Sequence, residues 1–260
     1  MRFQYSLRTL FVVVSISAVL SYYGAWFVNG HTRQASMTKV CQWGAHVRYH
    51  HEYNAQGDLT NDDPPGPSWL RSILGEHFFS SPHSLDLLIT NDPSPVPDEI
   101  VDLIGDMEPL QELTLGNHRI TEKQMLAICR LHNLRVLDLN FAGVTDVGAK
   151  HLGRLSRLNA LGLGCSEITN KGVAELQHLT ELRTLGISST ELTDDVAPSL
   201  SQFDSVRDLG IRRTLITDVG FLQLTKMRNL ESIDIGVTSI TPAAIETFHE
   251  QRLDVEIVTD

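Results

Sequence analysis

From residue 110 onward the hydrophobic positions recur every 24 residues. Leu110, Leu134, Leu158, Leu182, Val206 and Leu230 each open a unit, and the register runs without a gap to residue 253. The fourth position of each unit is Leu113, Leu137, Leu161, Leu185, Leu209 or Ile233, and the sixth is Leu115, Leu139, Leu163, Ile187, Ile211 or Ile235. Apolar residues at alternate positions predict a short strand with one face buried. The sixteenth, nineteenth and twenty-second positions, Met125, Ile128 and Leu131 in the first unit, are spaced as on one helix face. Between them the eleventh column, Ile120, Val144, Ile168, Leu192, Ile216 and Ile240, is aliphatic throughout. Each unit therefore reads strand, turn, helix. Such a unit is too small to close a core alone, so neighbours must stack and share one.

Polar positions keep the same period. The twelfth is threonine in all six units, Thr121, Thr145, Thr169, Thr193, Thr217 and Thr241, each followed by Glu, Asp, Asn or Pro. That reads as a helix N-cap with an acid-tolerant first turn, and losing one cap should cost about 1 kcal/mol. Upstream, Leu87 and Ile89 fit the fourth and sixth positions, Val96 the eleventh, and residues 98–104 a helix. This makes a seventh, atypical unit with two additional residues in the loop of Pro93, Pro95 and Pro97. Downstream, Val255 and Ile257 alternate as a closing strand whose outer edge is charged by Asp254, Glu256 and Asp260.

The amino-terminal segment follows a different rule. Thr9 to Val28 contains no charged residue, and twenty helical residues rise roughly 30 Å, the thickness of a bilayer's hydrocarbon core. Arg2 and Arg8 precede the run, and Tyr22, Tyr23 and Trp26 gather at its far end, as amphipathic rings do at a headgroup boundary. A cleaved signal peptide is the rival reading, but bulky residues crowd the candidate cleavage sites. The expectation is a single-pass anchor, residues 1–30, with the body on the exported, periplasmic or extracellular, side. Residues 31–83 are expected to cap the repeat array, and residues 84–260 to form it. In the cap Ala45, Val47 and Tyr49 alternate as a strand, residues 54–68 form a Gly- and Pro-rich loop, and Trp69, Leu70, Ile73, Leu74 and Phe78 share a helical face expected to pack on the first repeat.

Leu134, Leu137, Leu139, Ala142 and Val144 fit the pattern L-x-x-L-x-L-x-x-N/C-x-L, which resembles the leucine-rich repeat; the resemblance covers about two thirds of the chain. It implies an α/β solenoid, a short horseshoe of seven strand-turn-helix units plus a closing strand, behind the amino-terminal transmembrane helix. The chain departs from the family at the ninth position, usually Asn or Cys, where it has His118, Ala142, Ser166, Thr190, Thr214 and Thr238. Hydroxyls there can bond turn backbone; Ala142 cannot. Arg2, Phe3 and the run Ser6 to Leu10, with Gly44 to Tyr49 and Pro65 to Gly75, are similar to the heads of anchored leucine-rich repeat proteins of planctomycete bacteria. That likeness implies architecture and an envelope location rather than an activity.

Charge narrows the partners. Residues 1 to 50 hold five of the 21 basic residues and none of the 32 acidic ones, leaving 16 basic against 32 acidic in the remainder. A body that acidic repels nucleic acid, so none is expected as a partner. Cys41, Cys129 and Cys165 are too scattered for a disulfide framework or a zinc site and are expected to be packed or idle thiols. His50, His51 and Glu52 are the only local His and acid cluster, and adjacent strand residues would point to opposite faces. No phosphate loop, dinucleotide fingerprint, zinc-protease helix or nucleophile elbow is present. The expectation is therefore no enzyme, no metal and no cofactor.

What remains is the non-core side of the strands. Its third and fifth columns read Glu112, Val136, Ala160, Thr184, Asp208, Ser232 and Thr114, Asp138, Gly162, Gly186, Gly210, Asp234. The nearly bare middle would admit a partner's backbone, with Asp138, Asn140, Thr184, Asp208, Arg212, Arg213 and Asp234 as candidate binding residues. Arg135, Arg183 and Arg207 at the second position form a rim stripe. The leading expectation is a membrane-tethered scaffold recognising a protein or peptide. A self-associating structural envelope protein is the alternative. A substrate receptor resembling the leucine-rich F-box proteins is the third, and it lacks their helical adaptor motif.

Overall fold

The computed structural model describes residues 7–52, 60, 62–65, 67–78, 80–87 and 95–259, and the side chains of these except 7–20, 22–24, 26, 51 and 76. The chain forms two compact units. One holds residues 1–42 and 49–81, and the other residues 43–48 and 82–260.

In the first unit, helix α1 runs from Leu7 to Gln42, so the uncharged stretch is helical and the helix continues twelve residues past residue 30. Among the described residues no helix is long and apolar enough to cross a membrane. Residues 1–6, with Arg2, and the side chains of 7–20 lie outside the described residues. Helix α2 spans Ser68–Leu74, and a single 3-10 turn at Glu76–Phe78 follows it. Phe78 is buried against α1, its ring 5.8 Å from that of Phe27 and 5.2 Å from that of His31. The face expected to pack behaves otherwise: α2 buries no residue, and Trp69 and Ile73 are exposed. Phe78 is the one buried residue of the five, and it packs on α1 rather than on the first repeat. Most of the expected loop, residues 54–59, 61 and 66, lies outside the described residues.

The second unit is one solenoid. Strand β1 (His46–Tyr49) heads a nine-stranded sheet and is followed by β2 (Pro82–Asp86), β3 (Glu112–Thr114), β4 (Val136–Asp138), β5 (Ala160–Gly162), β6 (Thr184–Gly186), β7 (Asp208–Gly210), β8 (Ser232–Asp234) and β9 (Glu256–Val258) in strict sequence order. From β2 onward every pairing is parallel. The connecting helices are α3 (Asp98–Gly105), α4 (Glu122–Ile128), α5 (Asp146–Leu152), α6 (Asn170–Glu175), α7 (Ala197–Leu200), α8 (Asp218–Gln223) and α9 (Pro242–Gln251). Leu113, Leu137, Leu161, Leu185, Leu209, Ile233 and Ile257 stand in one row, each paired with the next. All but Ile257 are buried, as are Met125, Ile128 and Leu131 on the helix side. This is the leucine-rich repeat architecture that the 24-residue period predicts.

The first rung is read differently by the structure. Leu85 pairs with Leu113, and the Leu87 N–H donates to Thr114 O as the Leu115 N–H does to Asp138 O. Leu85 and Leu87 are therefore the fourth and sixth positions, not Leu87 and Ile89, and the loop up to Val96 is four residues longer than in a regular rung rather than two. Leu87 was a plausible start because Leu85, Leu87 and Ile89 all obey the strand alternation, which is silent about where a rung begins. Ile89 lies outside the described residues, with 88–94.

At the other end β9 closes the sheet. Asp254, expected to charge its edge, is paired: Arg252 Nη2 donates to its Oδ2 at 2.8 Å. The same guanidinium donates to the carbonyls of Met227 at 2.5 Å and Leu230 at 2.9 Å, satisfying backbone acceptors at the foot of the last full rung. Asp260 lies outside the described residues.

Between rungs the threonine column does more than cap. Five of the six accept an N–H from their own helix: Thr121, Thr145, Thr169, Thr217 and Thr241. Thr193 does not, because its rung opens with a 3-10 turn at Asp194–Val196 before α7. Four threonines are also gripped by the thirteenth residue of the preceding rung. Asp146, Asp194 and Asp218 each accept both the N–H and the hydroxyl of Thr169, Thr217 and Thr241, at 2.7–2.8 Å. Asn170 does the equivalent for Thr193, its Oδ1 accepting the N–H at 3.2 Å and its Nδ2 donating to the hydroxyl at 2.8 Å. At the ninth position Thr190, Thr214 and Thr238 donate to the carbonyls of Ile187, Ile211 and Ile235. Ser166 does not: its hydroxyl is buried without a hydrogen-bond partner.

Candidate binding face

Strands β3 to β8 are three residues long because the chain turns sharply after each, and that turn sets the edge of the open face. The eighth residue of every regular rung, Asn117, Phe141, Cys165, Ser189, Arg213 and Val237, has φ between 51° and 66°. In this left-handed conformation the N–H of Phe141, for example, donates to Gly164 O of the next rung at 2.8 Å, so the ladder continues past the strand. The turn reverses the chain toward its helix. The sequence gives no notice of it, because only Asn117 is a residue type that adopts this region readily.

On the face itself the candidate residues divide into three groups. Asp138 and Asn140 serve the scaffold: Asp138 Oδ1 accepts the Asn140 N–H at 2.8 Å, and Asn140 Oδ1 accepts the Gly164 N–H at 2.6 Å. The Asn140 side chain thus lies across Gly162 and Gly164, where a Cβ would come within 2.8 Å and 2.7 Å of it. This part of the face is covered rather than bare. Thr184 and Asp208 are brought together, Thr184 Oγ1 donating to Asp208 Oδ2 at 3.2 Å. Arg212 and Asp234 are likewise paired, Nη1 lying 3.5 Å from Oδ2, while Asp234 Oδ1 accepts the Gly236 N–H at 3.1 Å.

Arg213 is exposed, sits on the left-handed turn rather than on the strand, and forms no ion pair among the described residues. Ser188, absent from the expected set, belongs to it: its Oγ accepts the Arg212 N–H at 3.1 Å. What stays open is the area around Gly186, where a Cβ would meet nothing nearer than Gly162 Cα at 3.9 Å. Thr184, Asp208, Ser188 and Arg212 rim it from the neighbouring positions of the same and the next rung.

At the foot of the strands Asn159, Thr180, Glu181, Arg183, Asp204, Ser205, Arg207 and Asn229 line an open polar groove of about 440 Å³. Of the arginine stripe, Arg207 is paired there with Glu231 at 2.6 Å. Chemistry elsewhere is sparse. Burial pushes the Cys129 thiol up to about 11, with Arg154 opposing, and burial raises Cys41 as well, so neither is a thiolate at neutral pH. Residues 50–52 form a 3-10 turn, not the strand edge expected, and Glu52 Oε2 accepts the Tyr49 N–H at 2.7 Å. The side chain of His51 lies outside the described residues. Among the described residues no group of three His, Cys, Asp or Glu could hold a metal ion.

No family model matches the chain, and no curated protein matches it. Among solved structures it is similar to an internalin C2 of Listeria monocytogenes, at 21% identity and a TM-score of 0.49, over 64% of this chain and 76% of that one. It is also similar to an internalin of the same species, inlF, at 16% identity and a TM-score of 0.45, over 61% of this chain and 50% of the other. Likeness at this level adds nothing to the residue-by-residue register. That register by itself makes the second unit a leucine-rich repeat solenoid.

Proposed function

We propose that the protein is a non-enzymatic, membrane-tethered scaffold whose open strand face recognises a protein or an extended peptide. The observation that carries the reading is the gap at Gly186, flanked on one side by Thr184 with Asp208 and on the other by Ser188 with Arg212 and Asp234. Edges of such a gap offer hydrogen-bond donors and acceptors of both charge signs, and its floor lets a partner's backbone approach closely. The tether rests on the uncharged run Thr9 to Val28, the basic residues before it and the aromatic residues at its end. In this reading the basic residues before the run hold the amino-terminal side inside, and the solenoid faces the exported side. The resemblance of residues 44–49 and 65–75 to anchored planctomycete proteins agrees with that location.

A photocrosslinking residue in place of Ser188, in the full chain within native membranes, tests the reading. The expected result is one reproducible foreign adduct that is lost in Gly186→Trp and weakened in Arg212→Ala or Asp208→Ala, with thermal unfolding of all three variants unchanged. An adduct made only of two copies of this chain refutes it in favour of self-association. Adducts indifferent to Gly186→Trp remove the open face from the binding site.

A further inference from the structure

The amino-terminal unit leaves a second apolar surface open. Trp69 and Ile73 lie four residues apart on one face of α2 and are 64% and 70% exposed. Leu70 and Leu74, one step round the helix, are half-buried. The helix thus turns its smaller apolar side chains inward and its tryptophan outward, the reverse of what a helix stabilised by water alone would adopt.

Its position on α1 indicates what covers that face. Gly75, which ends α2, abuts Gln34 so closely that a Cβ there would fall 2.5 Å from Gln34 Nε2. Phe78 beyond it packs on Phe27, His31 and Gly30. The turn that ends α2 is therefore held against residues 27–34 of α1, and α2 leads into it. In that stretch Phe27 and Val28 are themselves 45% and 61% exposed, and they are the last residues of the uncharged run. At a rise of about 1.5 Å per residue, Gln34 lies roughly 9 Å beyond Val28, about a headgroup layer further along. The charges around it are of both signs: Arg33 and Lys39 on α1 and Arg71 on α2, with Asp62 and Asp63 shortly before α2 and Glu76 directly after Gly75. Continuity with the apolar end of α1 fits a lipid surface.

We infer that α2 is an interfacial helix, with Trp69 and Ile73 sunk into the headgroup boundary of a bilayer beside the point where α1 enters it. The inference rests on the tether reading, and the test separates the two. The full chain is reconstituted into vesicles of phosphatidylcholine and phosphatidylglycerol whose acyl chains are brominated near the headgroup. Two variants each leave one tryptophan on the amino-terminal unit, Trp26→Phe with Trp43→Phe, and Trp43→Phe with Trp69→Phe.

The expected result is that Trp69 emission shifts to the blue and falls by roughly half against unbrominated vesicles, as an interfacial ring's should. Ile73→Asp should abolish that quenching while leaving Trp26 quenched. If Trp26 is quenched and Trp69 is not, the interfacial helix is wrong and the tether stands. If neither is quenched, both are wrong. A Trp69 protected from bromine and from aqueous acrylamide alike overturns the inference in favour of a protein partner on α2.

Discussion

Val237 holds φ at 57° with a β-branched side chain that is 64% exposed. An L-residue in the left-handed region costs about 1–2 kcal/mol, less for Asn, whose short side chain suits it. Val237→Asn should therefore raise stability by about 1 kcal/mol in urea melts, with little buried contact to lose. A destabilised variant would mean that Val237 makes contacts its exposure hides. The threonine column yields a paired prediction at the same scale. Among the described residues the Thr145 hydroxyl has only its own helix cap, whereas Thr217 has a cap and the Asp194 carboxylate. Thr145→Ala should cost about 1 kcal/mol and Thr217→Ala about 2, since a hydrogen bond to a charged acceptor is lost as well. Equal costs in the two variants would reduce the clamp to decoration. Gly220 belongs to the same site, because a Cβ on it would run into Asp194 Oδ1 and the Asp194 backbone. Gly220→Ala should break the clamp, and Gly186→Ala should not.

Between elements, the Asp to Thr clamp ties three helix starts to the one before and gives the array an acid dependence. Burial works against the charge on Asp194, but the Thr217 hydroxyl and the N–H groups of Thr217 and Gly220 outweigh it, and its pKa is lowered. Asp254 is held at about 2 by its hydrogen bonds with Arg252. A carboxylate whose folded pKa is depressed stabilises the fold fully above its unfolded value, about 4, and loses that contribution as pH falls through the folded pKa. Stability should therefore decline from about pH 4 downward. Asp194→Asn should flatten that decline while remaining folded at pH 7, because Asn170 already serves Thr193 in the neighbouring rung. Thermal melts between pH 2 and 7 check it; an unchanged acid limb would assign the loss to other carboxylates.

For the molecule as a whole, stacking makes the rung the unit of folding. Excising residues 158–181 removes one full period, joins Arg157 to Leu182 in register, and delivers Asp146 to Thr193 in place of Thr169. The shortened chain should unfold cooperatively at a lower temperature. Excising residues 158–169 removes half a period, throws strands onto helices, and should abolish the transition. The ends behave differently from the middle. Arg252 ties the final helix to the carbonyls of Met227 and Leu230, so Arg252→Met should lower the melting temperature more than loss of an exposed arginine such as Arg135.

The period of 24 and the alternation within it were enough to place strands, helices and the row from Leu113 to Ile257, because each rung solves the same local problem with its own side chains. The buried leucine columns, the threonine caps and the closing strand follow from that alone. Tertiary structure decided whatever depends on the next rung's backbone. It fixed the left-handed turn shared by Asn117, Phe141 and Val237, the reach of Asp146, Asp194 and Asp218 to the following threonine, and the start of the first rung at Leu85. It also laid Asn140 over two glycines that the sequence reads as empty, so the open face narrows to the space at Gly186. Trp69 was left outward for the same physical reason: a side chain's periodicity shows which neighbours it shares a face with, whereas what covers that face is set by elements far away in the chain.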